Sequence, residues 1–366
     1  MASSESAGSY YQRAFNAINV SVLDVYGGIL TEEEGTLLNV LNGGLSDGGQ
    51  RLFIRLYLRK SGWLKRGKLA YEDIGDIDGA LNELIEKQLL LSDSASIFDY
   101  TELLTLPELK RILSRLQVKL PATLTRSALE ALVYEAKDPK QGCISFSSAD
   151  GRMTLSKQAS DKMSILATTT GPIIKLKDEV RSVCDVAMSL YFLVSQNMSG
   201  VDDNLSTAIL VEINRKSYPK YKIARSGPLF RARSDYDAYQ AALALEKELA
   251  DAAAPLDLDA LASFIDKFVE SIAIETAAKR SYFLRRFTAG WVQCRILERT
   301  AEQFEAEKNY NQAVALYKLL LSQKTFGLGH RGDWWERLVI DLSRHLKQDD
   351  AALETCEQAM QDDSVR

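Results

Sequence analysis

Apolar residues recur at spacings of three and four through most of the chain. Glycines or capping residues bound each run, so the pattern predicts a mainly α protein. "YYQRAFNAINVSVLDVY" puts Phe15, Ile18, Val22 and Val25 on one helical face. "GGILTEEEGTLLNVL" follows, with Thr31 as N-cap and Glu34 three residues on, the arrangement of a capping box. "LSDGGQRLFIRLYLRK" predicts a third helix that ends at Ser61-Gly62. "KLAYEDIGDIDGALNELIEKQLLLSD" places Leu81, Leu84, Ile85 and Leu89 together. Short helices joined by tight glycine turns predict a helix-turn-helix-like module.

"LTLPELKRILSRLQVKLPATLTRSALEALVYEA" predicts two short helices about a loop, with Pro107 in the first turn of one and Thr125 capping the other. Residues 137–170 are rich in glycine, serine, threonine and lysine and read as a linker or partly mobile loop. "STAILVEINRKSYPKY" is the clearest strand candidate, a β-branched and apolar run between turn formers. From about Tyr236 onward the pattern is helical. "NYNQAVALYKLLLSQ" and "KQDDAALETCEQAM" resemble one another at a spacing of roughly 39 residues, near the period of helical-hairpin repeats.

Composition narrows the function classes. A length of 366 residues gives room for two or three domains, and a net charge of −5 argues against a histone-like coat of nucleic acid. Cys143, Cys184, Cys294 and Cys356 are scattered, without metal-ligand spacing, which predicts reduced thiols and no zinc finger. Two histidines, His330 and His345, leave little room for histidine-based catalysis or metal binding. "MASSESAGSYYQ" has no apolar signal core, and no run approaches the ~18 apolar residues of a membrane span.

Charge is distributed unevenly. Between Arg51 and Lys68 lie seven basic residues, and no acid appears until Glu72. On a helix Arg51, Arg55 and Arg59 form one stripe, and Lys60, Lys65, Arg66 and Lys68 cluster about the following turn. Long cations on a rigid element are what phosphate contacts need. The plainer reading is a solvated face, disfavoured by the lack of any compensating acid in the window. Lys110, Arg111, Arg115 and Lys119 line the next basic helix, and Arg126 starts its partner. "LPELKRIL" has the leucine spacing of a SAP motif, a small DNA-backbone-binding hairpin. In "HRGDWWERL" two adjacent tryptophans cannot share one core face, and the segment reads either as an ordinary helix start or as a phosphate pocket at a helix N-terminus. The acidic pairs Asp349-Asp350 and Asp362-Asp363 read as solvated charges.

Taken in order, "YYQRAF", "LFIRLYLRKSGWLKRGKLAYEDI", "LPELKRIL", "STAILVEINRKSYPKYKI", "YFLRRFTAGWVQCRILER" and "LLLSQKTFGLGHRGDWWERLVIDLSRHLK" resemble the Fanconi-associated nuclease family of structure-specific repair nucleases. The resemblance covers nearly the whole chain. It implies a helical DNA-binding domain over residues 1–100 and a SAP-like unit over 101–137. A linker with a small strand-containing, mixed α/β continuation follows over 138–234, then TPR-like helical repeats over 235–366. The family's virus-type nuclease domain has a PD-(D/E)xK core that uses Mg²⁺ or Mn²⁺. No such motif occurs here: "LEKEL" is helical without a partner "PD". The expectation is therefore a portion of such a nuclease, whether fragment, splice form or truncated gene model, inactive alone and binding no metal itself.

The resemblance further implies a nuclear protein that binds branched or flap DNA during interstrand-crosslink repair, alongside ubiquitinated or other repair proteins. The expected DNA-binding residues are Arg55, Arg59, Lys60, Lys65, Lys68 and Tyr71, with Lys110, Arg111 and Arg126; Tyr10 is a further candidate for stacking. Arg331 and Arg337 match the family's 5′-phosphate pocket, although Asp333 stands where a base is expected. The alternative is a non-catalytic helical-repeat adaptor that binds repair proteins.

Overall fold

The computed structural model describes residues 9–92, 94–116, 118, 125–136, 156–193, 201–219, 222, 227–252 and 256–365. The chain divides into two compact units. The first comprises Met1–Val20, Glu32–Met188 and Asn204–Tyr218, the second Ser21–Thr31, Ser189–Asp203 and Pro219–Arg366.

The first unit draws on α1 (Ser9–Tyr26), α2 (Glu32–Gly43), α3 (Asp47–Tyr57) and α4 (Ile77–Glu86). Its core takes Phe15 and Ile18 from α1, Leu38 and Leu41 from α2, Leu52, Phe53 and Leu56 from α3, and Leu81 and Leu84 from α4. Of the faces predicted from spacing, Phe15, Ile18, Val22, Leu81, Leu84 and Leu89 are buried, and Val25 and Ile85 are half-buried. Ser46 caps α3 by accepting from the Gly49 amide at 3.0 Å, and Asp76 caps α4 by accepting from the Gly79 amide at 2.8 Å.

A small antiparallel sheet flanks these helices in the order β1-β3-β2, from β1 (Leu64–Lys65), β2 (Leu90–Leu91) and β3 (Ile173–Leu176). Leu64 pairs with Ile174, and Leu90 with Leu176. The chain between β2 and β3 is therefore an insertion into the sheet. It carries α5 (Ile97–Leu103), α6 (Leu106–Arg115), α7 (Arg126–Glu135) and α8 (Ser156–Thr170). These helices share a core of Leu109, Ile112, Leu113, Leu129, Val133 and Leu166. Thr105 and Glu108 form a capping box on α6, and Thr125 caps α7.

Two local expectations are corrected. Residues 156–170, read as linker, form α8; its Lys162 is 6 % exposed and caps the end of α7 by donating to the Tyr134 and Ala136 carbonyls at 2.6 and 3.1 Å. Residues 137–155, Cys143 among them, lie outside the described residues, as does Lys119. The strand expected in "STAILVEINRKSYPKY" is not formed: residues 206–212 end α10 (Val201–Glu212), which follows α9 (Asp178–Phe192), 213–219 are turn and coil, and 220 and 221 lie outside the described residues. Leu205 is buried and Ile209 half-buried at helical spacing, while Leu210 and Val211 are exposed. One-sided burial outweighs β-propensity, which is weak and context-dependent. The strand of this region is β3, nearer its start.

The second unit is helical: α11 (Arg233–Ala252), α12 (Leu258–Ala278), α13 (Tyr282–Arg285), α14 (Ala289–Ala306), α15 (Tyr310–Leu321), α16 (Arg331–Ile340), a π turn (Asp341–His345) and α17 (Asp349–Met360). α14 packs on α15, α15 on α16 and α16 on α17, the neighbour-on-neighbour packing of hairpin repeats. The weak internal repeat has a backbone counterpart. Lys308 and Lys347 both take left-handed φ, 61° and 56°, before α15 and α17. Ala313 and Ala352 are the matching buried positions in those helices.

Candidate nucleic-acid interface

The basic stretch is not one helical stripe. α3 ends at Tyr57, so Arg59 and Lys60 lie beyond it, in the turn that leads to β1. The acids missing from the stretch come from elsewhere in the sequence. Arg51, its side chain 14 % exposed, pairs with Asp47 at 2.7 Å and donates to the Asp73 carbonyl at 2.9 Å. Arg55 pairs with Asp73 at 3.2 Å, Lys65 with Glu108 at 3.0 Å and Arg66 with Asp78 at 2.6 Å. Lys60 and Lys68 are exposed, with no ion pair to a described residue.

Aromatic rings hold the arginines in place. The Arg55 guanidinium lies 4.9 Å from the Tyr11 ring centre and 5.3 Å from that of Tyr71. The Arg59 guanidinium lies 5.6 Å from the centre of the same Tyr71 ring. Tyr11 donates its hydroxyl to Asp73 at 2.6 Å. Burial, reinforced by that bond, pushes the Tyr11 hydroxyl up to about 12. Burial works to raise Asp73 as well, but hydrogen bonds from Tyr11 and Arg55 outweigh it and hold the carboxyl below its ordinary value. Tyr10 sets its ring edge-on to Tyr11 at 5.8 Å.

The inserted helices bring the second basic group into the same unit. Lys110, Arg111 and Arg115 are exposed along α6 without an ion pair to a described residue. Arg126 is engaged: it pairs with Glu130 at 2.7 Å and donates to the Glu102 carbonyl at 2.8 Å. Glu108 caps α6 and also receives Lys65. The Thr105 amide, followed by Lys65 and the Thr105 hydroxyl, outweighs burial and lowers its carboxyl to about 2.

One positioning residue carried no signal in the sequence. Arg181 of α9 donates to the carbonyls of Tyr57 and Arg59, both at 2.9 Å, and of Leu56 at 3.3 Å. It closes the open carbonyl end of α3 and fixes the turn from which Arg59 and Lys60 project. Asp185, one turn further along α9, receives the Tyr57 hydroxyl at 2.7 Å and ties the same helix end to α9.

Residues 330–338 are organised differently. Trp334 is the core tryptophan, 1 % exposed, while Trp335 donates to Asp362 at 3.0 Å. Gly327 precedes them at φ 65°, and a Cβ there would meet the Trp334 ring at 2.5 Å. Arg331 is 2 % exposed, with donors on Asp362 and on the Gln323 and Leu321 carbonyls. Arg337 pairs with Glu305 instead. The two arginines answer separate carboxylates. Asp362, expected to be solvated, is buried and also receives Lys324 at 3.3 Å. Burial opposes its charge, but bonds from Trp335, the Ser364 amide and Arg331 hold its carboxyl well below the usual range.

Among the described residues no group of three or more His, Cys, Asp or Glu is placed to hold a metal ion, so these residues do not fit the Mg²⁺ or Mn²⁺ of a nuclease centre. None of the described helices is long and apolar enough to cross a membrane.

The described chain thus comprises a helix-turn-helix unit with a small sheet, interrupted by a basic helical insertion, and a second unit of helical repeats. The chain belongs to the Fanconi-associated nuclease family and corresponds to its N-terminal and middle part. Residues 9–91 match the family model "FAN1, HTH domain", and residues 239–366 match "Fanconi-associated nuclease 1, TPR domain". Fanconi-associated nuclease 1 of Mus musculus is 30% identical over 338 residues, 88% of this chain and 32% of that protein. The Homo sapiens protein is 27% identical over 386 residues, 98% of this chain and 36% of its own length. The Arabidopsis thaliana homolog is 29% identical over 97% of this chain and 38% of that protein. The chain thus spans about a third of the length of these curated relatives. Among solved structures, paFAN1 bound to 2nt 5′flap DNA with gap shares the fold at a TM-score of 0.60 and 19% identity, over 97% of this chain and 55% of that one.

Proposed function

We propose that this chain is the DNA-gripping and scaffold portion of a structure-specific nuclease that acts on branched and 5′-flap DNA in interstrand-crosslink repair, in the nucleus. One observation carries the reading. The Lys65–Glu108 bridge ties the turn bearing the exposed Lys60 and Lys68 to α6, where Lys110 and Arg111 are also exposed. Unpaired cations on two rigid elements are free to replace the counterions of a phosphate backbone. In this reading Arg55, Arg59 and Tyr71 form a stacked wall beside the DNA. Lys65 keeps its bridge to Glu108 and so orients the two elements, while Arg126, held by Glu130, contributes by trading that partner for phosphate. Arg337, its side chain 48 % exposed, is the member open to a 5′-phosphate, while Arg331 is buried against Asp362. Metal-dependent cleavage with Mg²⁺ or Mn²⁺ belongs to the family's nuclease domain, to which this portion presents DNA. Crosslink-repair proteins are its expected protein partners.

The test is a salt titration of duplex binding. Each phosphate contact on duplex DNA contributes about 0.9 to the slope of log affinity against log salt, so replacing Lys60, Lys68, Lys110 and Arg111 by alanine should flatten it by about 3.6. An unchanged slope in a folded variant refutes the assignment.

A further inference from the structure

Arg337 faces a buried pair of carboxylates rather than a single one. Its Nε donates to both oxygens of Glu305 at 3.1 Å, and Nη2 reaches the same carboxylate. Glu305 of α14 is 8 % exposed and lies in hydrogen-bond contact with Asp341 of the π turn, which is 1 % exposed. Asp341 comes one helical turn after Arg337, and its amide donates to the Arg337 carbonyl, so the backbone sets both side chains on one face. Asp341 Oδ2 is buried and accepts no hydrogen bond from a described residue. Two buried carboxylates in contact beside one guanidinium do not readily both ionise, so the pair retains a proton. Burial and Glu305 keep it on Asp341 up to about pH 7.

The other charged and titratable groups around the pair come from each helix packed there. α14 adds Glu302, α15 the buried Tyr317, and α16 Arg337 itself. α17 buries Ala352 and Thr355, which carry no charge, and Arg344 and His345 of the π turn are exposed. Of these groups Arg337 is the one that lowers the Asp341 carboxyl. Whatever weakens the field of Arg337 at the pair therefore raises the pair's hold on protons.

We propose that phosphate binding at Arg337 is coupled to proton uptake by the Asp341–Glu305 pair. The inference rests on the reading of Arg337 as open to a 5′-phosphate, and adds to it a control that contact with Arg337 alone would lack. A phosphate that draws the guanidinium outward, or adds negative charge beside it, leaves the buried carboxylates short of counter-charge. A proton from solvent then takes the guanidinium's place as an O–H on the pair; no other bond forms or breaks. Because the bound state holds more protons than the free one, affinity for the phosphate falls as pH rises past 7.

The probe is a 5′-flap DNA ending in a phosphate or a hydroxyl, with a fluorophore on another strand, titrated by anisotropy against the full chain. The ratio of the two affinities isolates the end from the rest of the grip. Between about pH 7 and about pH 8.5 the phosphate is already largely dianionic, so its own titration adds little. Uptake of one whole proton changes affinity about tenfold per pH unit, and a fall of at least about threefold in the phosphate preference is expected over this range. Asp341→Asn, neutral at every pH, should keep the preference and hold it level. Should that variant not fold, calorimetry of the wild type in two buffers of different ionisation enthalpy counts the protons, and more should be taken up with the phosphorylated flap than with the hydroxyl one. A preference that never appears, or that survives Arg337→Ala, refutes the phosphate reading and the coupling with it. A preference that Arg337→Ala abolishes, but that stays level with pH in the wild type, falls equally in Asp341→Asn or brings no extra proton uptake, overturns the coupling alone.

Discussion

Lys65 of β1 bonds both carboxylate oxygens of Glu108 at 3.0 Å, across 43 residues of sequence, and so joins the helix-turn-helix sheet to the first turn of the inserted α6. Lys65 is 9 % exposed in its side chain, and the same carboxylate caps α6 through the Thr105 amide at 2.7 Å. One acid therefore orients two basic elements.

The first prediction concerns acid stability. Glu108 has its folded-state pKa lowered to about 2 from an ordinary 4.5. A depressed carboxylate contributes stability that is present above the unfolded value and lost as pH falls through the folded one. Between pH 4.5 and 2 the wild type should lose about 2 kcal/mol from this group once solvent screening is allowed for. Glu108→Gln should start less stable at neutral pH and show a flatter acid limb in urea melts. A parallel pair of acid limbs would exclude this role.

Asp341 gives the opposite sign. It is 1 % exposed on the π turn, and burial, with Glu305 beside it, pushes its carboxyl up to about 7. Glu305 and Arg337 are the charged neighbours that enter this balance, Glu305 raising and Arg337 lowering. A raised carboxyl contributes stability that is complete below about pH 4 and disappears as pH rises through 7. The melting midpoint should therefore fall from pH 5 to pH 8 in the wild type. In Asp341→Asn that fall should shrink; if it persists undiminished, another group is responsible.

These two residues show what the sequence could and could not disclose. Helical faces were legible because burial on one side imposes spacing, as with Phe15 and Ile18 or Leu81 and Leu84. The repeat was legible because Lys308 and Lys347 begin equivalent helices from the same left-handed turn. The sheet was not, because β1 and β2 are two residues each and β3 is four, too short for alternation to register. The charge of residues 51–68 is visible in the sequence, and so is Asp47, one helical turn before Arg51, but Asp73, Asp78 and Glu108 become its neighbours only on folding. Asp362 reads as a solvated acid in the sequence for the same reason. Arg331, which it neutralises, is 31 residues away.

That buried pair yields a third prediction. Asp362→Ala strands the Arg331 guanidinium without its counter-charge and should cost about 3–5 kcal/mol. Arg331→Met with Asp362→Ala removes both charges and should recover much of that loss, as a double-mutant cycle in thermal unfolding would show. Additive losses would mean that Arg331 draws its stability from the Gln323 and Leu321 carbonyls rather than from Asp362.

Arg181 supplies the last prediction, which separates positioning from contact. Its guanidinium closes the carbonyl end of α3 through Leu56, Tyr57 and Arg59 and is stacked 5.4 Å from the Tyr57 ring. Arg181→Ala should loosen the turn that carries Arg59 and Lys60 and lower duplex affinity severalfold, because cations that must first be ordered bind at an entropic cost. Arg181 makes no phosphate contact in the proposed grip, so the number of counterions released should stay the same. The slope of log affinity against log salt should therefore match the wild type, while Lys60→Ala should flatten it by about 0.9. Arg181→Lys retains the charge but not the three-carbonyl fork and should restore only part of the affinity. A slope that falls in Arg181→Ala as it does in Lys60→Ala would reassign Arg181 to direct contact with the backbone.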